Sequence, residues 1–109
     1  MPDTVPMLER DLQDQVLDLA RLLRWRVAHF RAARTAHGWR TPVSADGAGF
    51  PDLVLVRSRR LIAAELKRDA KAKLTPAQQA WLADLRGAGI EVYVWTGDDD
   101  LDDIAAVLR

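Results

Sequence analysis

From Met7 to Arg24 the apolar residues Leu8, Leu12, Val16, Leu19, Ala20 and Leu23 recur at helical spacing, which predicts an amphipathic helix with one buried stripe. The rhythm then shortens. Trp25 to Phe30 is partly aromatic and β-branched and reads as a strand. Two apolar runs follow, Leu53 to Val56 and Leu61 to Ala64, joined by the polar stretch Arg57 to Arg60. Thr75, Pro76 and Gln78 carry the signature of a helix start, and the helix is expected to end near Gly87 or Gly89. Ile90 to Trp95 alternates as a strand does, and the acids of Asp98 to Asp103 open a last helix with Leu101, Ile104, Ala105 and Leu108 on one stripe. The order αβββαβα predicts an α/β sandwich with a mixed sheet flanked by helices. Residues 31 to 49 show no convincing period and are punctuated by Gly38, Pro42, Gly47 and Gly49; they read as a loop that engages substrate.

Length and composition support one domain over residues 1–109, since 49% hydrophobic content is enough for a single compact core. No leader and no membrane-length apolar run is seen, so a cytoplasmic protein is the expectation. The absence of cysteine excludes thiolate zinc sites and disulfides.

Net charge is zero, which argues against a nucleic-acid partner until its distribution is considered. Residues 1–20 carry one basic and five acidic side chains, residues 21–73 thirteen and four, and residues 74–109 two and seven. The basic middle holds Arg57, Arg59, Arg60, Arg68, Lys71 and Lys73, with Arg31, Arg34 and Arg40 before them. Such a segment suits a phosphate backbone, and Arg31, Arg34, Arg40, Arg68, Lys71 and Lys73 are the candidate DNA contacts. The plain alternative is that these residues solvate the surface and balance acidic helices.

The candidate chemistry comes from counting across the two central runs. A turn centred on Ser58 and Arg59 sets position 56 opposite 61 and Asp52 opposite Glu65. Opposed residues of an antiparallel pair share a face with Cβ atoms about 5 Å apart, and Lys67 joins Glu65 by the two-residue period. Two carboxylates so close repel by roughly 3 kcal/mol at an effective dielectric of about 20, a burden that a divalent cation would reverse. Asp52, Glu65 and the backbone carbonyl of Leu66 are hard oxygen ligands of the kind that Mg²⁺ or Mn²⁺ takes. The alternative is a solvated hairpin with a surface ion pair between Glu65 and Lys67.

The motifs GFPDLVLV and AAELK, followed by LTPAQQAWL and AGIEVYVW, resemble the VRR-NUC domain of the PD-(D/E)XK nuclease superfamily. The resemblance runs from about Glu9 to Leu108. It implies a restriction-endonuclease-like fold and a divalent-metal-dependent DNA endonuclease, with Holliday-junction or other branched DNA as substrate. It implies a homodimer and fits a bacterial or phage-infected cell. Asp52, Glu65 and Lys67 match the family's catalytic positions, Glu9 its first-helix acid and Gln78 its glutamine.

Several of these residues carry a second reading. Glu9 lies roughly 50° from the centre of the apolar stripe at 100° per residue, so it either leans toward the metal or complements the helix dipole. Gln78 closes a capping box, yet shares a helix face with Trp81, Leu82 and Leu85. His29 either packs or touches DNA, and His37, Trp39 and Arg40 either steer nucleic acid or are incidental. A catalytically silent module that binds DNA or protein is the alternative function.

Overall fold

Leu12, Val16 and Ala20, spaced one turn apart, are the buried residues of helix α1 (Glu9–Leu22) and seat it on the sheet. The helix stops in a Schellman arrangement without a glycine. Arg24 takes a φ of +69°, its N–H donates to the Arg21 carbonyl, and the Trp25 N–H reaches back to Ala20. That reversal delivers the chain into strand β1 (Arg26–His29). The computed structural model describes residues 9–30, 33–35, 38–40 and 43–109.

Next come short strands β2 (Ala33–Thr35) and β3 (Gly38–Arg40), then β4 (Leu53–Arg57) and β5 (Arg60–Lys67). Helix α2 (Pro76–Gly87), strand β6 (Glu91–Thr96) and helix α3 (Leu101–Leu108) complete the chain. The main sheet has the order β1-β4-β5-β6, with β1, β4 and β5 antiparallel to one another in turn and β6 parallel to β5. The parallel step needs a crossover, and α2 supplies it. The expected αβββαβα order is therefore that of the main sheet and its helices. Pairing of Val56 with Leu61 and of Arg57 with Arg60 is the register expected from the sequence.

Residues of alternate parity divide the two faces. Leu53, Leu55, Ile62, Ala64, Leu66 and Trp95 join α1 and the α3 residues Ile104 and Leu108 in one buried cluster. Glu65 and Lys67 belong to the opposite face, together with Val54, Val56 and Ala63.

Two expectations change. The segment read as a loop contains the separate β2–β3 ladder, in which Arg34 faces Trp39 and Ala33 faces Arg40. Three-residue strands are too short for alternation to register in the sequence.

The second change concerns the basic hairpin turn. Arg57 and Arg60 do not stand beside the proposed site. Arg57 donates to the carbonyls of Leu23 and Leu108, at the C-terminal ends of α1 and α3. Arg60 pairs with Glu91 and donates to Val107, and both guanidiniums lie over the Trp25 ring. The Trp25 indole also donates to Leu108 at 2.7 Å. These cations answer the orphan carbonyls and the negative end of α3. Five residues of extended strand separate them from Asp52, about 17 Å.

Arg57→Met keeps an unbranched side chain but removes the guanidinium from over Trp25 and leaves two carbonyls without their charged donor. The expected loss is about 2 kcal/mol in urea unfolding.

Candidate active site

The chain enters β4 through Gly49, Phe50, Pro51 and Asp52. Gly49 has φ +85°, and a Cβ there would come within 2.7–2.8 Å of Ala77 and the Gln78 nitrogen. Only glycine lets this strand entry touch the first turn of α2. Pro51, fully buried, brings no N–H that would need a partner. Asp52 follows, its carbonyl accepting from the Phe30 N–H at 3.0 Å and its Oδ2 accepting from the Leu66 N–H at 2.8 Å. One backbone N–H on each side, to the carbonyl from Phe30 and to the carboxylate from Leu66, thus holds Asp52 between β1 and β5.

Among the described residues Glu65 is the one charged member of the buried set, only 2% exposed, so the solvated-hairpin alternative does not describe it. Its Oε2 accepts from Gln78 Nε2 at 3.1 Å and lies 3.8 Å from Lys67 Nζ. Lys67 Nζ in turn donates to Gln78 Oε1 at 3.1 Å. Burial first, then the charge of Asp52, pushes the Glu65 carboxyl up to about 8; Lys67 opposes this, while a hydrogen bond with Asp52 and the charge of Glu9 add to it. Glu9, half-buried on α1, is raised for the same two leading reasons, burial and then Asp52, against Lys67 and Arg68. The three acids therefore feel one another. Among the described residues no group of three or more carboxylate or imidazole side chains stands as a ready metal cluster. Asp52 and Glu65 are the close pair, with Glu9 in electrostatic reach.

Gln78 fulfils both of its readings at once. Its N–H donates to Thr75 Oγ1 and its Oε1 accepts from the Thr75 N–H, which completes the capping box of α2. The same Oε1 takes the Lys67 ammonium, and Nε2 points at Glu65. Because the Thr75 N–H and Lys67 can only donate, the carboxamide has one permitted orientation. The helix cap thus sets the polarity of the group between Lys67 and Glu65. Neither Thr75 nor Gly49 stood out in the sequence as a site residue. The capping box was a visible signal for the first, and the Gly49–Phe50 step beside Pro51 and Asp52 for the second.

Arg68, Lys71 and Lys73 are exposed near the end of β5. Arg68 contacts Asp69 at 3.3 Å, an exposed pair that leaves it open to water. Arg31 and His37 lie outside the described residues, as do the side chains of Arg34, Trp39 and Arg40. His29 is half-buried in β1 opposite Leu53.

The model of the VRR-NUC domain matches residues 7–99. A solved structure titled VRR_NUC domain superposes with a TM-score of 0.68 at 22% identity, covering 90% of this chain and 94% of its own. A second, titled VRR_NUC domain protein, gives 0.65 at 23% identity, covering 95% and 87%. Hjc, a Holliday junction resolvase of Archaeoglobus fulgidus, superposes at 0.46 with 21% identity over 84% of this chain and 68% of that one. No curated protein matches the chain. The fold is the restriction-endonuclease-like arrangement expected from the sequence, and the chain belongs to the VRR-NUC domain family.

Proposed function

We propose that this protein is a divalent-metal-dependent DNA endonuclease that hydrolyses phosphodiester bonds, with branched or Holliday-junction DNA as its substrate. The observation that carries the reading is Glu65, 2% exposed beside Asp52: burial first, then the charge of Asp52, raises its carboxyl, and Lys67 opposes them. A cluster so short of positive charge fits a hard cation. Asp52, Glu65 and the Leu66 carbonyl would hold Mg²⁺ or Mn²⁺, with Glu9 reaching it directly or through water. Such an ion supplies Lewis-acid activation of water and neutralises phosphate charge.

The protein's own groups do the rest. Lys67, fixed at 3.1 Å from Gln78 Oε1, orients the attacking water and adds positive charge where the transition state gathers negative charge. Gln78 holds that ammonium in place and keeps Glu65 facing it. Arg68, Lys71 and Lys73, with Arg31, Arg34 and Arg40, bind the DNA backbone. Two copies acting together suit a symmetric junction; sedimentation with and without junction DNA tests this, and a monomer in both would remove the homodimer.

Incubating labelled junction, flap, linear duplex and single-stranded DNA with Mg²⁺, Mn²⁺ or EDTA tests the function itself. Metal-dependent nicking that favours branched DNA is expected. Binding without nicking in any metal would leave the silent module. Among the described residues no helix is long and apolar enough to cross a membrane.

Thr75→Ala should lower stability by about 1 kcal/mol through loss of the cap. By releasing Gln78 it should also lower kcat about tenfold, with KM little changed. Thr75→Ser restores both, and a variant that loses stability alone would detach the cap from catalysis.

A further inference from the structure

Phe30 occupies the edge of the row that contains the carboxylates. Its N–H bonds the Asp52 carbonyl, continuing the register in which His29 faces Leu53. One more step of the β4–β5 register, from Leu53 opposite Ala64, sets Asp52 opposite Glu65. Phe30, Asp52 and Glu65 therefore lie side by side on three neighbouring strands and project to one face. Neighbouring strands are about 4.8 Å apart, so the ring stands one strand from Asp52 and two from Glu65.

This ring is braced but not covered. Phe30 meets Phe50 edge to face, with centroids 5.5 Å apart at 90°. Phe50 meets Trp81 in the same manner, at 5.0 Å and 80°, and the Trp81 indole N–H is engaged by the Asp46 carbonyl at 2.9 Å. Phe50 precedes Asp52 by two residues and Trp81 follows Gln78 by three. The cluster thus ties both catalytic segments to β1. The three rings brace one another, and Phe30 keeps 40% of its surface exposed. It is an apolar, π-faced surface with little freedom left to lose, at the mouth of a polar site.

We propose that Phe30 is a stacking platform for an unpaired nucleobase of the nucleotide whose phosphate sits at Asp52 and Glu65. This rests on the nuclease reading and adds the class of DNA: strands with unpaired nucleotides beside the cut. A base inside a duplex is already stacked on both sides, whereas an unpaired base offers a free face to an aromatic ring. A cation held by the carboxylates would anchor the phosphate at that end of the row, and the base extends along it toward the edge strand. Flaps and splayed arms present such bases, and a fully paired four-way junction does so once its centre opens.

Anisotropy binding in Ca²⁺, a hard cation for the same oxygen ligands, with the DNA checked to be intact after each titration, tests the contact separately from cleavage. The DNA is a splayed junction in which each unpaired nucleotide at the branch is replaced in turn by an abasic one. For the wild-type protein one position should weaken binding by about tenfold. Phe30→Leu, which keeps apolar bulk against Phe50, should weaken binding of intact DNA by a similar factor. It should lose no more on the abasic DNA, and Phe30→Tyr should bind as wild type. The proposal is overturned by the absence of binding, by an abasic scan with no sensitive position, or by losses that simply add. Base-specific binding without cleavage in any metal would overturn the nuclease reading alone, and cleavage indifferent to Phe30 would overturn the stacking alone.

Discussion

Glu65→Gln is expected to abolish cleavage while making the metal-free protein more stable. The glutamine fills the same volume and still accepts from Gln78 Nε2, now 3.1 Å from Glu65 Oε2. It cannot supply the anionic oxygen that a divalent cation requires, so cleavage in Mg²⁺ should fall by about a thousandfold or more. The stability effect follows from linkage. In the folded protein the Glu65 carboxyl is pushed up to about 8 from its ordinary 4.5, so the folded state holds this proton more tightly than the unfolded chain. Its stability is complete below about pH 4.5, declines as pH rises through the interval up to about 8, and is flat beyond. Neutral glutamine has no such slope. In EDTA the variant should match wild type near pH 4.5 and exceed it by a few kcal/mol near pH 8.5. Urea unfolding at the two pH values reads this directly. A destabilised variant at pH 8.5 would show that Glu65 is a structural charge adequately paired by Lys67.

Gly49→Ala should have the second largest effect, and it acts through backbone geometry. Its new Cβ would come within 2.7 Å of the Ala77 carbonyl carbon and 2.8 Å of the Gln78 nitrogen, at a φ of +85°. Those atoms belong to a capped helix start, so relief must come from separating the Asp52 segment from α2. A loss of about 2–4 kcal/mol is expected. In whatever fraction stays folded, the Gln78 contacts with Glu65 and Lys67 should loosen, so kcat falls as well. Thermal unfolding and cleavage at a temperature well below the midpoint separate the two losses. An alanine variant with wild-type Tm would mean that the strand entry and helix are not held against each other.

The part of the site that the sequence discloses is the part governed by short periods. Asp52, Glu65 and Lys67 are related by a two-residue turn and a two-residue alternation, so counting across the hairpin suffices to bring them together. The helices of Leu12, Val16 and Ala20 and of Ile104 and Leu108 are legible for the same reason, as their stripes are bought by local periodicity. What the sequence hides depends on the third dimension. Arg57 and Arg60 carry the same charge as Arg68, but only the arrival of the α1 and α3 C-termini decides that they serve carbonyls. The two functions of Gln78 looked exclusive along the chain. In three dimensions one amide oxygen accepts both from the Thr75 N–H and from Lys67. The β2–β3 ladder is invisible because its strands have three residues each, too few for a pattern.

A cation site formed by Asp52 and Glu65 is the centre of the proposed chemistry. Titrating the protein with Mn²⁺ at pH 8 and counting free ion by electron paramagnetic resonance measures this without DNA. Saturable binding is predicted for the wild type, weakened about tenfold or more in both Asp52→Asn and Glu65→Gln. Binding of equal strength in all three proteins, or none at millimolar Mn²⁺, would contradict it.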